Sequence, residues 1–320
     1  QGRDLRTGAP ITQFYIASLS TQTIVYKGLV LPESLGEFFS DLRNDLVKSQ
    51  MALVHSRFST NTLPAWELAH PFRQLCHNGE INTIRGNLKW MKAREPEITQ
   101  NWSKKWNQAA TNFQPLVASG QSDSQSLDNV VEILCREGFE LPEALMIMVP
   151  EAWEKDLSMH QELRDFYAYY ASRMEPWDGP AAICFTDGKW VGARLDRNGL
   201  RPCRYTILQD QTIILSSETG VLDLPVDQVL KRGRLSPGEM LAVDMTTGEI
   251  FENTSIKNKF AAQKNYGKLK ESEQSSLATI EKQVDAEFES LASKEVNSST
   301  SDQNSRYDEF HKRMQQLLQF

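Results

Sequence analysis

The polar stretch CHNGEINTIRGN, residues 76–87, concentrates amide and glycine residues directly after a short apolar run. An Asn side-chain amide beside a Gly backbone N–H is a donor pair of the kind that stabilises an oxyanion during acyl transfer. Asn78 and Gly79 are therefore candidate oxyanion-hole residues. The alternative is a simple turn, because Asn-Gly is the strongest short-range hairpin signal. A turn needs only two residues, however, and leaves the polar residues after Gly79 unexplained.

Two charged residues elsewhere have types that would bind the main-chain groups of an amino acid. Arg57, in the segment HSRFSTNT, carries a guanidinium fork, which binds a carboxylate through two parallel hydrogen bonds. Asp123 could pair with an ammonium group. Together with an oxyanion hole, these groups describe a site for an amino acid with a reactive side-chain carbonyl, of which glutamine is the natural candidate. The alternatives are that Arg57 pairs with an acid of the protein and that Asp123 only caps a helix.

Apolar periodicity in the first part of the chain predicts the elements that would position Arg57. ITQFYIASLS and TIVYKGL predict the two strands of a hairpin. Pro32 and Ser34 predict the start of a helix that continues to about Lys48. Met51–Val54 then predicts a short buried strand, which delivers the segment containing Arg57 at its end.

The next elements would position the other candidates. A strand around Phe72–Cys76 leads into Asn78 and Gly79, and Asn87–Arg94 has a helical pattern. Ser122-Asp123-Ser124 predicts the cap of a helix that runs to Gly138 through the apolar residues Leu127, Val130, Val131 and Leu134. LPEALMIMVPEAW is apolar and interrupted by Pro150, and Gln161–Met174 is predicted to be helical with an aromatic face.

From Pro180 onward the pattern changes to short apolar segments, each closed by a turn with Gly, Asp or Asn: AAICFTDG, WVGARLDRNG, CRYTILQDQ, TIILSSETG and MLAVDMTTGEI. They predict an antiparallel meander. Strands, then helices, then strands favour an α+β fold of two antiparallel sheets with helices outside over a doubly wound parallel sheet. We expect one domain over residues 1–254. Residues 255–320 are expected to form a polar linker and the start of a following domain.

Composition excludes several function classes. A net charge of −7 and a pI near 5.4 argue against nucleic acid or an anionic membrane as the main partner. The four cysteines have no CxxC spacing and the five histidines form no HExxH pair, so no metal site is expected. No membrane span or signal peptide is indicated in the sequence, which favours a cytoplasmic protein.

Five segments, in this order, resemble the class II glutamine amidotransferase domain of the glutamate synthases, in their large-subunit or ferredoxin-dependent form: ALVHSRFSTNTLPAW, HNGEINTIRGN, EPWDGPAA, LDRNGLRPCRY and SSETGVLDLP. The resemblance implies a four-layer αββα sandwich of the N-terminal-nucleophile hydrolase type. It implies that Arg57 holds the α-carboxylate of L-glutamine, that Asp123 holds the α-ammonium, and that Asn78 and Gly79 form the oxyanion hole.

For the complete protein, the resemblance implies that glutamine is hydrolysed to glutamate and ammonia, which aminates 2-oxoglutarate reductively elsewhere in the enzyme. FMN and an iron-sulfur cluster are expected in downstream synthase domains of the same polypeptide, and no cofactor is expected in this chain. A reductase subunit or ferredoxin is the implied electron-donating partner. A plastid location is implied if the donor is ferredoxin.

The chain departs from this family at its first residue. Such enzymes use a cysteine at the mature N-terminus, whose own α-amino group can act as the base, whereas residue 1 is Gln. We therefore expect the N-terminal part of the domain to be missing and the fragment alone to be inactive. Cys76 is close to the oxyanion pair but lacks a free amine.

Two further function hypotheses remain open. The first is a non-catalytic module with the same fold, against which the presence of Arg57, Asn78, Gly79 and Asp123 together argues. The second is an amidase or acylase of the N-terminal-nucleophile type with an apolar pocket, which would have no use for an Arg57 and Asp123 pair.

Overall fold

Short strands after residue 74 form the framework of the molecule. The structure is a computed structural model that describes residues 15–56 and 64–295. The strands are β1 Leu75–Gly79, β2 Ala181–Thr186, β3 Trp190–Leu195, β4 Arg204–Leu208, β5 Ile213–Ser216, β6 Val229–Arg234, β7 Met240–Asp244 and β8 Glu249–Phe251. The α-helices are α1 Leu35–Phe38, α2 Ile84–Trp106, α3 Asp123–Glu137, α4 Leu141–Met148, α5 Gln161–Ala171, α6 Asn253–Ala261 and α7 Tyr266–Glu295. Short 3-10 helices span Pro32–Ser34, Ser40–Arg43, Trp66–Leu68, Ala110–Phe113 and Val226–Gln228.

The strands form two antiparallel sheets. The larger has the order β1-β2-β3-β7-β8, and the smaller has the order β5-β4-β6. The chain leaves the larger sheet after β3, builds the smaller sheet, and returns as β7. The predicted α+β class with two antiparallel sheets is therefore confirmed.

The inner faces of the two sheets share one apolar core. Ala193 and Leu195 of β3 and Leu241 of β7 are buried in a cluster against which Tyr205 of β4 and Leu215 of β5 pack. These side chains alternate along their strands with residues that face the other way, as a pleated strand requires. The sheets thus lie face to face, in the manner of a sandwich.

Helices cover the other face of the larger sheet. There, Ile183 and Phe185 of β2 are fully buried. Arg194 of β3 donates from Nε and Nη2 to the carbonyl oxygen of Val149, just after α4, at 2.9 and 2.6 Å. Helices, larger sheet and smaller sheet account, in the described residues, for three of the four layers of the predicted αββα sandwich.

The first part of the chain differs from its prediction. Tyr15–Leu31 contains no strand, and the predicted helix from Pro32 is broken into short helical turns. Met51–Val54 is not a strand either, and Val54 is 77% exposed. Apolar alternation indicates that a segment could form a strand, but a strand also needs a partner for its backbone groups. The described neighbours of these segments provide none. Ile11–Phe14 of the predicted hairpin lies outside the described residues.

The helices predicted after residue 80 are present in the structure. Helix α3 begins after the N-cap Ser122, whose Oγ accepts from the Gln125 N–H, and ends at Gly138 in the left-handed conformation. Helix α5 lies within the predicted range. Helix α2 is much longer than predicted and continues through Pro96.

The chain divides into two compact units, Gln1–Gln263 and Lys264–Phe320. The domain boundary expected at residue 254 falls inside α6, where Ile256 and Phe260 are fully buried. In the second unit, α7 spans Tyr266–Glu295. None of the helices in the described part of the chain combines the length and the apolar content needed to cross a membrane. The helical pattern predicted at 306–320 lies outside the described residues.

Candidate active site

Asn78 and Gly79 end β1, the outermost strand of the larger sheet. They are strand residues, so the alternative interpretation of Asn-Gly as a simple hairpin turn does not apply. The Glu80 N–H donates to the Pro180 carbonyl oxygen of the neighbouring chain segment at 3.3 Å. Because backbone hydrogen bonds alternate along an antiparallel strand, the Asn78 N–H faces β2 and the Gly79 N–H faces the open edge. Among the described residues, the sheet ladder therefore provides no acceptor for the Gly79 N–H.

Two glycines let the backbone after Gly79 pack tightly on the segment before β2. A Cβ atom at Gly79, where φ is +151°, would lie 1.9 Å from the Pro180 carbonyl oxygen. A Cβ atom at Gly179 would lie 1.9 Å from the Glu80 carbonyl oxygen. Both distances are far inside van der Waals contact, so no residue with a side chain fits either position without a backbone shift.

The remaining polar residues of the 76–87 stretch hold this contact in place. The N–H groups of Asn82 and Thr83 donate to the Asp178 carbonyl oxygen at 2.8 and 3.3 Å. The Asn87 Nδ2 donates to the Pro176 carbonyl oxygen at 3.1 Å. The motif thus divides into the strand end Asn78–Gly79, where the Gly79 N–H faces away from β2, and a polar clamp that fixes it.

Asp123 is the first residue of α3, not its N-cap, and its carboxylate reaches the same backbone. Its Oδ2 accepts from the Ile81 N–H at 2.8 Å, and its Oδ1 accepts from the Ser124 N–H at 2.7 Å. Ile81 is two residues beyond Gly79, so the structure brings Asp123 and the Asn78–Gly79 pair together. Arg57 lies outside the described residues.

Asp128, which no sequence pattern singled out, fixes the start of β1 from α3. Its carboxylate accepts from the backbone N–H groups of Arg73, Gln74 and Leu75 at 3.1, 2.9 and 3.1 Å. Complete burial raises the pKa of Asp128 to about 6, against the lowering effect of these backbone hydrogen bonds. The sequence could have placed Asp128 on α3, one helical turn after Ser124. It could not have shown which backbone N–H groups the carboxylate binds.

Three histidine rings, those of His55, His70 and His77, contact one another in a row at β1 and form a histidine column. The ring centroids of His55 and His70 are 4.6 Å apart, and those of His70 and His77 are 5.3 Å apart. Burial lowers the pKa of His70 to about 2 and that of His77 to about 4, and the neighbouring histidines add to both effects. His70 and His77 are therefore neutral at physiological pH. In the described ranges, no group of three or more His, Cys, Asp or Glu side chains could hold a metal ion.

The turn after β3 contacts the segment 176–181, which carries the acceptors of the polar clamp. The Asp196 carboxylate accepts from the N–H groups of Ala181 and Asn198 at 2.9 and 2.8 Å. Arg197 forms an ion pair with Asp178, and Trp177 is fully buried. The turn predicted at the end of WVGARLDRNG agrees with these contacts.

Three of the four cysteines have raised pKa values, and the fourth, Cys184, accepts a hydrogen bond from one of them. Cys76 of β1 is in register with Cys184 of β2 and donates to it, which together with burial raises the pKa of Cys76. The same hydrogen bond lowers the pKa of Cys184, a side chain that packs against the core between the sheets. Burial raises the pKa of Cys135 and of Cys203 to about 12. A thiol with a raised pKa is a poor nucleophile at neutral pH.

A family model of class II glutamine amidotransferases matches residues 3–269. The chain belongs to this family. The glutamate synthase [NADPH] large chain of Bacillus subtilis is 49% identical over 260 residues, which is 81% of this chain and 17% of that protein. The ferredoxin-dependent glutamate synthase 2 of Synechocystis is 50% identical over 257 residues, which is 79% of this chain and 16% of that protein. The amidotransferase domain thus spans about a sixth of the length of these relatives.

Among solved structures, a glutamine phosphoribosylpyrophosphate amidotransferase from B. subtilis aligns with a TM-score of 0.36 and 20% identity, over 62% of this chain and 34% of that chain. The fold assignment of the amidotransferase domain rests on its two sheets and on the family match.

Proposed function

We propose that this domain hydrolyses the side-chain amide of L-glutamine to glutamate and ammonia. The observation that carries the proposal is the Gly79 N–H, which faces the open edge of the larger sheet beside Asn78. A fixed backbone donor that has no partner in the sheet is suited to the oxyanion of a tetrahedral intermediate, because it needs no reorganisation when the charge develops. The Gly79–Pro180 and Gly179–Glu80 contacts hold this donor in place.

The substrate contacts follow from the residues around that donor pair. Asp123 is bonded to the backbone two residues beyond Gly79, so its carboxylate is close enough to hold the α-ammonium of the same substrate molecule. The α-carboxylate is assigned to Arg57, whose planar fork suits that group. The support for Arg57 is its position in the HSRFSTNT motif, two residues after His55 of the histidine column.

We infer that the complete protein is a glutamate synthase, because each of the relatives described above is named as one. The ammonia would then aminate 2-oxoglutarate in downstream domains that carry FMN and an iron-sulfur cluster. A reductase subunit or ferredoxin would supply electrons there, and the glutamine step would use neither cofactor. The same proposal places the protein in the cytoplasm, or in a plastid if ferredoxin is the donor.

The nucleophile is proposed to be a cysteine other than the four in this chain. Cys76 and Cys184 bond to each other in the core between the sheets, and the pKa values of Cys135 and Cys203 are about 12. In this family, an N-terminal cysteine would provide both the thiol and the amine that takes its proton.

The experiment that tests the proposal is Arg57→Lys in the complete protein. A point charge cannot reproduce the planar fork, so the KM for glutamine should rise by about tenfold or more. Activity with free ammonia as the nitrogen source should survive, because ammonia bypasses the amidotransferase site. An unchanged KM for glutamine would remove Arg57 from the site. A protein that never releases ammonia from glutamine would instead be a non-catalytic module.

A further inference from the structure

A cavity outside the candidate active site lies between the turn after β3 and the end of β6. Its volume is about 340 Å³, and residues 199–204 and 234–237 line it. The lining contains Arg201, Arg204 and Arg234 and no acidic residue. A concentration of positive charge in a protein of net charge −7 needs an explanation.

Arg204 and Arg234 lie opposite each other on neighbouring strands, where their like charges repel. They are direct partners on β4 and β6. The Leu235 N–H donates to the Cys203 carbonyl oxygen at 2.9 Å, so the pair one step along the strands is a hydrogen-bonded pair. The Arg204–Arg234 pair is therefore of the non-hydrogen-bonded kind, in which side chains approach most closely. Like charges at such a position are destabilising.

The protein's own acids do not compensate this charge within the described residues. No carboxylate there lies within ion-pair distance of Arg201, Arg204 or Arg234, whereas Lys231 on the same strand pairs with Glu252. The Nε of Arg201 is buried and has no hydrogen-bond partner in the described part of the chain. A buried donor without a partner is costly, so this Nε is a second unfavourable feature of the cavity.

The walls of the cavity are fixed before any ligand arrives. The Asp196 carbonyl oxygen accepts from the N–H groups of Gly199 and Gly238 at 3.1 and 2.8 Å, which ties the two lining turns together. Gly199 has a φ of +60°, and a Cβ atom there would lie 2.7 Å from the Pro237 ring. The cavity is therefore a preformed feature of the fold.

We propose that this cavity binds a small dianion of the phosphate-ester or dicarboxylate class. Two negative groups on one molecule would bridge Arg204 and Arg234 and convert their repulsion into charge-assisted hydrogen bonds. The third guanidinium, Arg201, would gain the partner that its Nε lacks. Arg201 lies close enough to His77 to disfavour the protonated form of that histidine, so the bound dianion would lie next to the candidate active site.

The test is isothermal titration calorimetry of the complete protein with inorganic phosphate and with glutarate, at constant ionic strength set by NaCl. At least one of the two should bind saturably at one site. Arg204→Gln and Arg234→Gln should each weaken that binding by about tenfold or more, the loss expected for one charge-assisted hydrogen bond. Tighter binding of glutarate would assign the dicarboxylate class, and tighter binding of phosphate would assign the phosphate esters.

Arg232→Gln is the matched control. Arg232 is an exposed arginine two residues from Arg234 on the same strand, and it does not line the cavity. Its loss should leave binding within about twofold of the wild-type value, because it removes charge but no ligand contact. Equal weakening by Arg232→Gln, or no saturable binding of either anion, would overturn the proposal.

A second readout separates loss of the site from loss of the fold. Without ligand, Arg204→Gln and Arg234→Gln should melt at the wild-type Tm or above it, because each removes the like-charge repulsion. The ligand should raise the Tm of the wild-type protein and of Arg232→Gln, but not that of the other two variants. Melting of both cavity variants well below the wild-type protein would show that the arginines are structural and would refute the proposal.

Discussion

The donor pair depends on two residues that have different physical tasks. Asn78 would offer a side-chain amide, whereas Gly79 offers a backbone N–H that only a residue without Cβ can place there. The sequence predicted these donors, because an Asn side-chain amide beside a Gly backbone N–H is a donor pair of the oxyanion-hole kind. It did not show that Gly179, a hundred residues later in the chain, must also be glycine for Gly79 to keep its place.

Asn78→Ala in the complete protein tests the side-chain donor. Removal of one oxyanion donor costs about 2.7 to 4 kcal/mol in the transition state. We therefore expect kcat for glutamine to fall by about a hundredfold or more, with little change in KM. Rates with free ammonia and the melting temperature provide the controls. A fall in stability with an unchanged kcat would make Asn78 a structural residue of the strand end.

Gly179→Ala tests the support of the backbone donor. The new Cβ atom would meet the Glu80 carbonyl oxygen at 1.9 Å, so the segment after Gly79 must move. We expect a loss of stability of roughly 1 to 3 kcal/mol, as for overpacking, and a fall in kcat for glutamine. Gly86→Ala, in the 76–87 stretch, is the matched control, because nothing lies within 4 Å of its added Cβ. It should be neutral or slightly stabilising, since Gly86 is in a helix. Equal effects of the two substitutions would contradict this account.

At the scale of elements, α3 positions the site from two of its turns. Asp123 binds the backbone after β1, and Asp128 binds the backbone before it. Helix α3 was predictable because its cap, its apolar spacing and its terminal glycine all agree. Strand β6, by contrast, was missed: VLKRGR is largely exposed and basic, and only its pairing with β4 makes it a strand.

The stability contributed by Asp128 should depend on pH. Its pKa is about 6 in the folded protein, against an ordinary value of 3.8, so the folded protein favours the protonated carboxyl. Such a group contributes most below pH 3.8, and its contribution is lost as the pH rises through 6. The contribution is at most about 3 kcal/mol, because a tenfold change in proton affinity corresponds to about 1.4 kcal/mol.

Comparison with Asp128→Asn isolates that contribution, because Asn does not titrate. Urea unfolding of both proteins between pH 4 and pH 7 should show the free energy of unfolding of the wild type falling relative to that of the variant. A difference that stays constant over this range, or that rises with pH, would show that the pKa of Asp128 is not raised.

The chain as a whole combines groups that we propose to position a substrate with four cysteines that are poor candidates for the nucleophile. The folded core that fixes Asn78, Gly79 and Asp123 also buries Cys76 and Cys203. The sequence indicated this for Cys76, because an internal cysteine lacks the free amine of an N-terminal one. It could not show why Cys76 is inert, which follows from its register with Cys184 on the next strand.

The chain Gln1–Phe320 on its own is therefore expected to hydrolyse no glutamine, because positioning groups without a nucleophile leave no covalent route. A longer form that begins at an N-terminal cysteine should release ammonia from glutamine. A thiol-reactive glutamine analogue should abolish that activity, and mass spectrometry should find the label on the N-terminal residue alone. Cys76→Ser in the longer form should retain the activity, because this thiol lies between the sheets. Glutamine hydrolysis by the 320-residue chain, lost on Cys76→Ser, would instead identify Cys76 as the nucleophile.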